Sequence, residues 1–191
     1  MKKLSLLLLL AAACGGGSDG SHNNPPPNNP PPTTDYNSNF TGTWRGNGTI
    51  TVGTQSATAP LFQVVNAVST NRFRFEDSWC PTVWTANNAT SASVDVTNCP
   101  AFPAACSFTA RITSGSFVRE GGGARAGMSG TATVVGGCTA PPGTSLAFSL
   151  TTDVMIRSSS LQGANNHGVL ESSSIGFGPA VAALLGRSFP E

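Results

Sequence analysis

The sequence predicts an all-β protein, built as an antiparallel meander of about eight short strands and stapled by disulfides. Three observations support this fold class. Apolar and polar residues alternate over residues 72–76, so that Phe73 and Phe75 share one face and charged side chains share the other. Clusters of Gly, Pro and Asn separate such segments, and no long segment with a helical period interrupts them. Four cysteines fall in the same part of the chain.

The N-terminus has the pattern of a targeting segment. Lys2 and Lys3 precede an apolar run over residues 4–13. Ten residues in a helix rise only about 15 Å, which is half the thickness of a bilayer core. We therefore expect residues 1–13 to be a secretory signal peptide rather than a permanent transmembrane helix.

The residues Ala11-Ala12-Ala13-Cys14 resemble the lipobox of bacterial lipoproteins. This resemblance implies that the Cys14 thiol is acylated by diacylglycerol, that the chain is cleaved before it, and that a membrane is a partner. In such lipoproteins an Asp after the cysteine resembles an inner-membrane retention signal. Because Gly15 stands there, we expect the bacterial cell envelope, with the outer membrane favoured over the inner. An ordinary signal peptide with an incidental cysteine is the alternative.

Residues 14–38 form a predicted tether. They are rich in Pro, Asn and Gly and contain no aliphatic residue, so they cannot bury a core and favour extended polyproline II. We expect the β domain over residues 39–157. A tail over residues 158–191 follows, with a short helix at 179–186 that ends at Gly186.

The alternating segments define the expected strands. In chain order they cover residues 42–52, 61–68, 72–76, 82–85, 91–97, 107–112, 128–135 and 146–156. The first strand contains Gly42, Gly46 and Gly48, and glycine inside a strand marks a strong bend or a close backbone approach. We therefore favour a closed barrel over a sandwich, because a barrel is sharply coiled and leaves no strand edge exposed.

An even number of cysteines in an exported chain indicates disulfides. Cys80, Cys99, Cys106 and Cys138 allow three connectivities. We favour Cys80–Cys99 and Cys106–Cys138, because these pairs link nearby turns and strand ends in a sequential meander. A zinc site is disfavoured, since its cysteines usually come in closely spaced C-x₂₋₄-C pairs.

The tripeptide Gly42-Thr43-Trp44 resembles the G-x-W at the start of the first strand in lipocalins and lipocalin-like barrels. The resemblance implies that Trp44 closes one end of a barrel. It also implies that an arginine just beyond the last strand packs on the tryptophan ring, and Arg157 stands at that position. The alternative is that Trp44 is an ordinary core residue and Arg157 a solvated strand end.

Charge and motifs exclude several functions. From Cys14 onwards the chain has eight Arg, no Lys and nine acidic residues, a net charge of −1. A nucleic-acid-binding protein would need clustered positive charge. Of the two histidines, only His167 lies outside the tether. The sequence also has no G-x-S-x-G motif, the nucleophile elbow of many hydrolases. We expect no catalytic residue, no metal and no cofactor, and a hydrolase that uses His167 is the alternative.

Apolar residues of the alternating strands are candidates for lining a ligand site. Eight-stranded barrels either enclose one small ligand or fill with side chains. We expect a hydrophobic small molecule, bound by Phe62, Phe73, Phe75, Trp84, Phe108 and Phe148. Core and cavity residues show the same alternation, so a second hypothesis stays open. It is a structural or partner-binding surface lipoprotein that has a filled core, binds no ligand and contacts an envelope protein or polymer.

Overall fold

The computed structural model describes residues 33–158 and 176–187. The predicted signal peptide, Cys14, most of the tether and His167 lie outside these residues. The chain divides into two units, Met1–Thr33 and Thr34–Glu191, and every described helix and strand belongs to the second unit.

Ten strands and two helices make up the described part of the chain. In order they are α1 (Asn37–Phe40), β1 (Gly42–Val52), β2 (Gln55–Ser69), β3 (Arg72–Glu76), β4 (Thr82–Ala86), β5 (Ser91–Val94), β6 (Thr97–Cys99), β7 (Ser107–Glu120), β8 (Gly123–Gly136), β9 (Ser145–Thr152), β10 (Met155–Ser158) and α2 (Phe177–Leu185). The expected bounds of the first and third strands are confirmed. The second, sixth and seventh expected strands are longer than predicted.

All ten strands form one antiparallel sheet, as predicted. Neighbouring strands pair in the order β1, β2, β3, β4, β5, β7, β8 and β9, and β9 pairs back with β1. These pairings form a ring of eight strands, which are not arranged evenly round one axis. The all-β meander is therefore confirmed, whereas the closed barrel stays a prediction.

Two of the eight expected strands are each broken into two. The segment predicted over 91–97 is β5 and β6, which both pair with β7. The segment predicted over 146–156 is β9 and β10, which both pair with β1 and β8. Asp95 and Asp153 lie at the breaks, and their N–H groups donate to the carbonyls of Val83 and Asn47. The backbone thus stays bonded through each irregularity.

The buried side chains form two clusters, one near each helix. The α1-end cluster comprises Phe40, Trp44, Val65, Phe73, Phe75, Trp84, Ala86, Ala92, Phe117, Ala124, Ala126 and Met155. The α2-end cluster comprises Ile50, Val52, Cys80, Cys99, Cys106, Phe108, Ala110, Ile112, Ala132, Val134, Phe148, Phe177, Ala180, Val181, Leu184 and Leu185. Each helix therefore covers a group of inward-facing strand residues.

Helix α2 closes one end of the ring because one of its faces is apolar. Val181, Leu184 and Leu185 recur at helical spacing and are fully buried. Phe177 packs against Phe148 at a ring-centroid distance of 5.2 Å. The helix begins two residues earlier than predicted and stops before Gly186. Nine residues are marginal as an isolated helix, so this packing is what stabilises α2.

Two disulfides reinforce the same end. Cys80 is bonded to Cys99 and Cys106 to Cys138, the pairing favoured from the sequence. The first three of these cysteines are buried in the α2-end cluster, and Cys138 packs against it. The bonds fix the loops between β3 and β4 and between β6 and β7 beside the helix.

Candidate functional site

Trp44 and Arg157 meet at the α1 end of the ring. They are register partners on β1 and β10, and the Arg157 guanidinium lies 5.9 Å from the centroid of the Trp44 ring. This distance is within the range of a cation–π interaction. The Trp44 indole N–H also donates to the carbonyl oxygen of Phe40 at 2.7 Å. The pair therefore holds the first and last strands and α1 together.

Gly42 makes room for this contact. Its φ is +121°, and a Cβ there would lie 2.8 Å from Nε of Arg157. A larger residue would both strain the backbone and push the guanidinium away from the indole. Two residues of the Gly42-Thr43-Trp44 tripeptide therefore position Arg157. Gly42 leaves space for the guanidinium, and the Trp44 ring contacts it.

Five of the six predicted lining residues are buried in the core. Phe73, Phe75 and Trp84 belong to the α1-end cluster, while Phe108 and Phe148 belong to the α2-end cluster. They pack mainly on other aromatic rings, such as Phe75 on Trp84 at a centroid distance of 4.7 Å. These rings therefore fill most of the space that a large ligand would need.

Phe62 is placed differently from the other five. It is 37% exposed, and the Arg45 guanidinium lies 5.0 Å from the centroid of its ring. Arg45 and Phe62 are register partners on β1 and β2. Phe62 also borders the cavity described next, so it stands at the outside of the candidate site.

A cavity of about 90 Å³ lies between the two clusters and is here called the inner cavity. Its apolar lining comprises Ile50, Leu61, Phe62, Phe75, Trp84, Ala126, Met128, Leu150 and Phe177. Thr82 and Thr152 also line it, but their hydroxyl oxygens accept hydrogen bonds from the Trp84 indole and the Ala126 N–H, each at 2.8 Å. The inner cavity is therefore a mainly apolar space.

A second space of about 280 Å³ lies between β2 and α2 and is here called the α2 groove. It is lined by Gly48, Ile50, Ala57, Ala59, Pro60, Leu61, Leu150, Pro179, Ala180, Ala183 and Arg187. Ile50, Leu61 and Leu150 line the inner cavity as well, so the two spaces are neighbours. Arg187 is the one charged residue in this lining.

The α2 groove has three strands on one side and α2 on the other. β2 contributes Ala57, Ala59, Pro60 and Leu61, β1 contributes Gly48 and Ile50, and β9 contributes Leu150. β1 pairs with β2 along its whole length, whereas the five-residue β3 pairs with β2 only from Val64 to Ser69. Among the described strands, the first half of β2 therefore pairs only with β1.

Two carboxylates border the inner cavity, and both have structural partners. Hydrogen bonds from Arg74 and then from Asn66 hold the pKa of Glu76 below its ordinary value. Asp77 accepts hydrogen bonds from the N–H groups of Trp79 and Cys80 at 2.9 and 2.8 Å. Within the described residues no group of three His, Cys, Asp or Glu is placed to hold a metal ion.

No family model matches the chain. No curated protein and no solved structure matches it either. In the described ranges no helix combines the length and the apolar character needed to cross a membrane.

The α2 groove and Arg187 were not predicted from the sequence. The signal for them is the spacing of Pro179 and Ala183, which lie four residues apart on one face of α2, with Arg187 four residues later, just beyond the helix end. This face carries small apolar residues and is followed by a cation, which distinguishes it from the buried face. Which strands α2 would lie against depends on how the assembled sheet pairs, which no local pattern encodes.

Proposed function

We propose that this chain is a lipid-anchored lipoprotein of the bacterial envelope whose folded part binds a hydrophobic small molecule. The lipobox-like Ala11-Ala12-Ala13-Cys14 supports the anchor, and Gly15 supports the outer membrane over the inner. The proline-rich tether predicted over residues 14–38 links the anchor to the folded part, which already begins with α1 at Asn37. The folded part is a small lipocalin-like β-barrel, a proposal supported by the ring of eight strands and by the contact of Trp44 with Arg157.

One observation carries the ligand proposal, namely that the inner cavity and the α2 groove are adjacent. The inner cavity alone is far below the roughly 300–1,000 Å³ of most ligand pockets. The α2 groove, at about 280 Å³, is close to that range and is lined almost wholly by apolar residues. The ligand therefore lies beneath α2 and touches Phe75 and Trp84 at its inner end. Phe73, Phe108 and Phe148 serve core packing.

Native mass spectrometry tests this function. The chain is exported with Cys14→Ser, so that it is not acylated, and is purified without detergent from an oxidising compartment. We expect a mass four hydrogens below the reduced chain, from two disulfides, together with a bound apolar molecule. The variant Ala183→Phe fills the groove from an exposed position on α2, so it should keep the disulfide mass and lose the bound molecule.

A second candidate function is a structural or partner-binding lipoprotein with a filled core. It is favoured by the aromatic packing at both ends of the ring, such as Phe40 stacked on Phe73 at 5.0 Å and Phe177 beside Phe148. If the unacylated chain carries no bound molecule and takes up no apolar probe, this candidate replaces the first. A protein partner captured from intact envelopes by the anchored chain would then support it.

The anchor is tested independently of the ligand. Wild-type chain should fractionate with the membrane and carry a mass increase from acylation, whereas Cys14→Ser should be released by osmotic shock. Release of both forms would contradict lipidation and favour an ordinary signal peptide. Folding of the β domain should not differ between them, because Cys14 is not one of the paired cysteines.

A further inference from the structure

The α2 groove has two different ends. Gly176 and Phe177, at the start of α2, border the inner cavity. Arg187 borders the groove but not the inner cavity. Arg187 therefore lies at the end of the groove that is farther from the inner cavity. Helix α2 rises about 12 Å from Phe177 to Leu185, and Arg187 follows two residues beyond the end of the helix. The apolar space is thus elongated, with a cation at one end.

The volume and lining of the groove fit one hydrocarbon chain. One side is formed by β1, β2 and β9, at Ile50, Ala57 and Leu150, and the other by one face of a single helix, at Pro179 and Ala183. Apart from Arg187, these side chains offer no polar group to orient a branched or polar molecule. The Phe75 and Trp84 rings lie at the inner end.

Arg187 is available to a ligand. It is exposed, and no carboxylate of the described residues forms an ion pair with it. The negative end of the α2 dipole lies at the same place, and by itself it would disfavour an anion. The Thr139 hydroxyl donates to the Gly186 carbonyl at 2.7 Å and so occupies one acceptor at this helix end. An anionic head here depends on the guanidinium.

We propose that the site binds a free fatty acid, with its carboxylate on Arg187 and its chain beneath α2 reaching the inner cavity. This inference rests on the proposed function and adds the chemistry of the head group, the number of chains and their direction. A phospholipid with two chains does not fit a groove of about 280 Å³, which lies just below the roughly 300–1,000 Å³ of most ligand pockets. A neutral lipid has no anionic group that could form an ion pair with Arg187.

Calorimetric titration of the Cys14→Ser chain tests this with three probes of equal chain length: dodecanoate, dodecanol and dodecyltrimethylammonium. The full chain is used, at low ionic strength and below the micelle concentration of each probe. We expect one molecule of dodecanoate to bind per chain. Its affinity should exceed that of dodecanol by about fivefold, as for an exposed ion pair, and the cationic probe should bind most weakly.

Two arginine variants locate the head group. Arg187→Gln should lose the preference for dodecanoate over dodecanol, because only the helix dipole then acts on the carboxylate. Arg125→Gln is the matched control, since Arg125 is exposed and pairs with Glu120 on the β7–β8 hairpin. The control should bind all three probes as the parent chain does. Ala183→Phe should abolish binding of all three.

The outcomes separate the inference from the proposed function. Equal affinity for dodecanoate and dodecanol, or an unchanged preference in Arg187→Gln, would overturn the fatty-acid assignment and leave a neutral apolar site. Binding that survives Ala183→Phe would place the ligand outside the groove and would also overturn the assignment. If none of the three probes binds, the ligand-binding function fails together with the inference.

Discussion

Gly137 occupies a point where two backbone segments come into contact beside Cys138. Its φ is +71°, and a Cβ at this position would overlap the carbonyl oxygen of Ala105. Gly143 has a similar φ of +87° but faces open space. The two glycines therefore share a backbone conformation and differ in whether a side chain has room.

This contrast gives a prediction for two variants. Gly143→Ala should cost about 1–2 kcal/mol of unfolding free energy, the strain of a left-handed backbone at a residue with a Cβ. Gly137→Ala should cost clearly more, because the Ala105 and Cys106 segment must move away. Urea denaturation of oxidised protein measures both losses. Equal losses would show that the close approach does not constrain this loop.

Glu76 predicts how stability depends on pH. Its pKa is lowered in the folded protein by Arg74 and Asn66, so the ionised carboxylate stabilises the fold above the pKa of the unfolded chain. That contribution is lost as the pH falls through the lower, folded-state pKa. Glu76→Gln should be less stable than wild type at pH 7 by less than about 1 kcal/mol, as for other exposed pairs.

The difference between Glu76→Gln and wild type should shrink as the pH falls through the lowered folded-state pKa of Glu76, because the protonated carboxyl group is then neutral like the amide. Urea denaturation at pH 7 and at about pH 2, well below the ordinary Glu pKa, measures it. A difference that is the same at both pH values would mean that the amide loses packing or hydrogen-bond geometry rather than charge.

At the scale of single elements, α2 is held by its buried face. Leu184 is fully buried in the α2-end cluster. Leu184→Ala should lower the free energy of unfolding by about 2–5 kcal/mol, since it leaves a cavity that the rigid sheet cannot fill. Ile156 is 67% exposed, and Ile156→Ala should stay within about 0.5 kcal/mol of wild type. Thermal and urea unfolding check both values.

If Leu184→Ala lowered the free energy of unfolding no more than Ile156→Ala does, α2 would not be packed in the core. The α2 groove would then not be bounded by this helix. Reduced uptake of apolar probes in the stable variant Ala183→Phe remains the cleaner test of the groove, because Ala183 is exposed on the helix.

The strands that carried apolar alternation could be predicted closely. β1 has Trp44, Ile50 and Val52 facing inwards, and its bounds agree with the prediction. The middle of β7 is different, because the register with β8 shifts between Ile112 and Ser114, and the polar Ser114 stands where alternation would require an apolar residue. Ser114 instead makes a hydroxyl pair with Ser129 on β8 at 2.8 Å. Such cross-strand hydroxyl pairs stabilise a sheet without leaving an apolar pattern.

The candidate site was predictable only in its components. Alternation identified Phe75 and Trp84 as inward residues, and the helix at the end of the chain was expected. Whether these residues face a cavity or a neighbouring ring depends on distances across the sheet, such as the 4.7 Å between these two rings. Arg187 joins the site only because α2 packs against residues of β1, β2 and β9, which is a property of the assembled sheet.

At the scale of the whole molecule, the disulfides make the two ends of the ring unequal. Both bonds lie at the α2 end, with sequence separations of 19 and 32 residues. Replacing either pair with alanine should cost about 3–4 kcal/mol, and the longer loop should cost about 0.5 kcal/mol more in the chain-entropy account. Urea denaturation of the two double variants measures this difference.

Hydrogen exchange measures which strands lose amide protection when a disulfide is removed. In both double variants amide protection should fall first in β6 and the start of β7, while amides near Trp44 and Phe117 stay protected. These two rings pack at 5.4 Å in the α1-end cluster, which contains no cysteine. A uniform loss of amide protection would show instead that all eight strands unfold as one cooperative unit.

The pairing of β1 with β10, which sets Trp44 opposite Arg157, has a consequence for a nascent chain. β1 is the first strand to emerge from the ribosome. The strands that pair with its second edge, β9 and β10, emerge last. Until they do, β1 and β8 both present an open edge that can accept a strand from another molecule. Such non-local pairing also slows folding. Two chains released together could therefore exchange β9 and β10, and the natural hazard of this ring is a domain-swapped dimer.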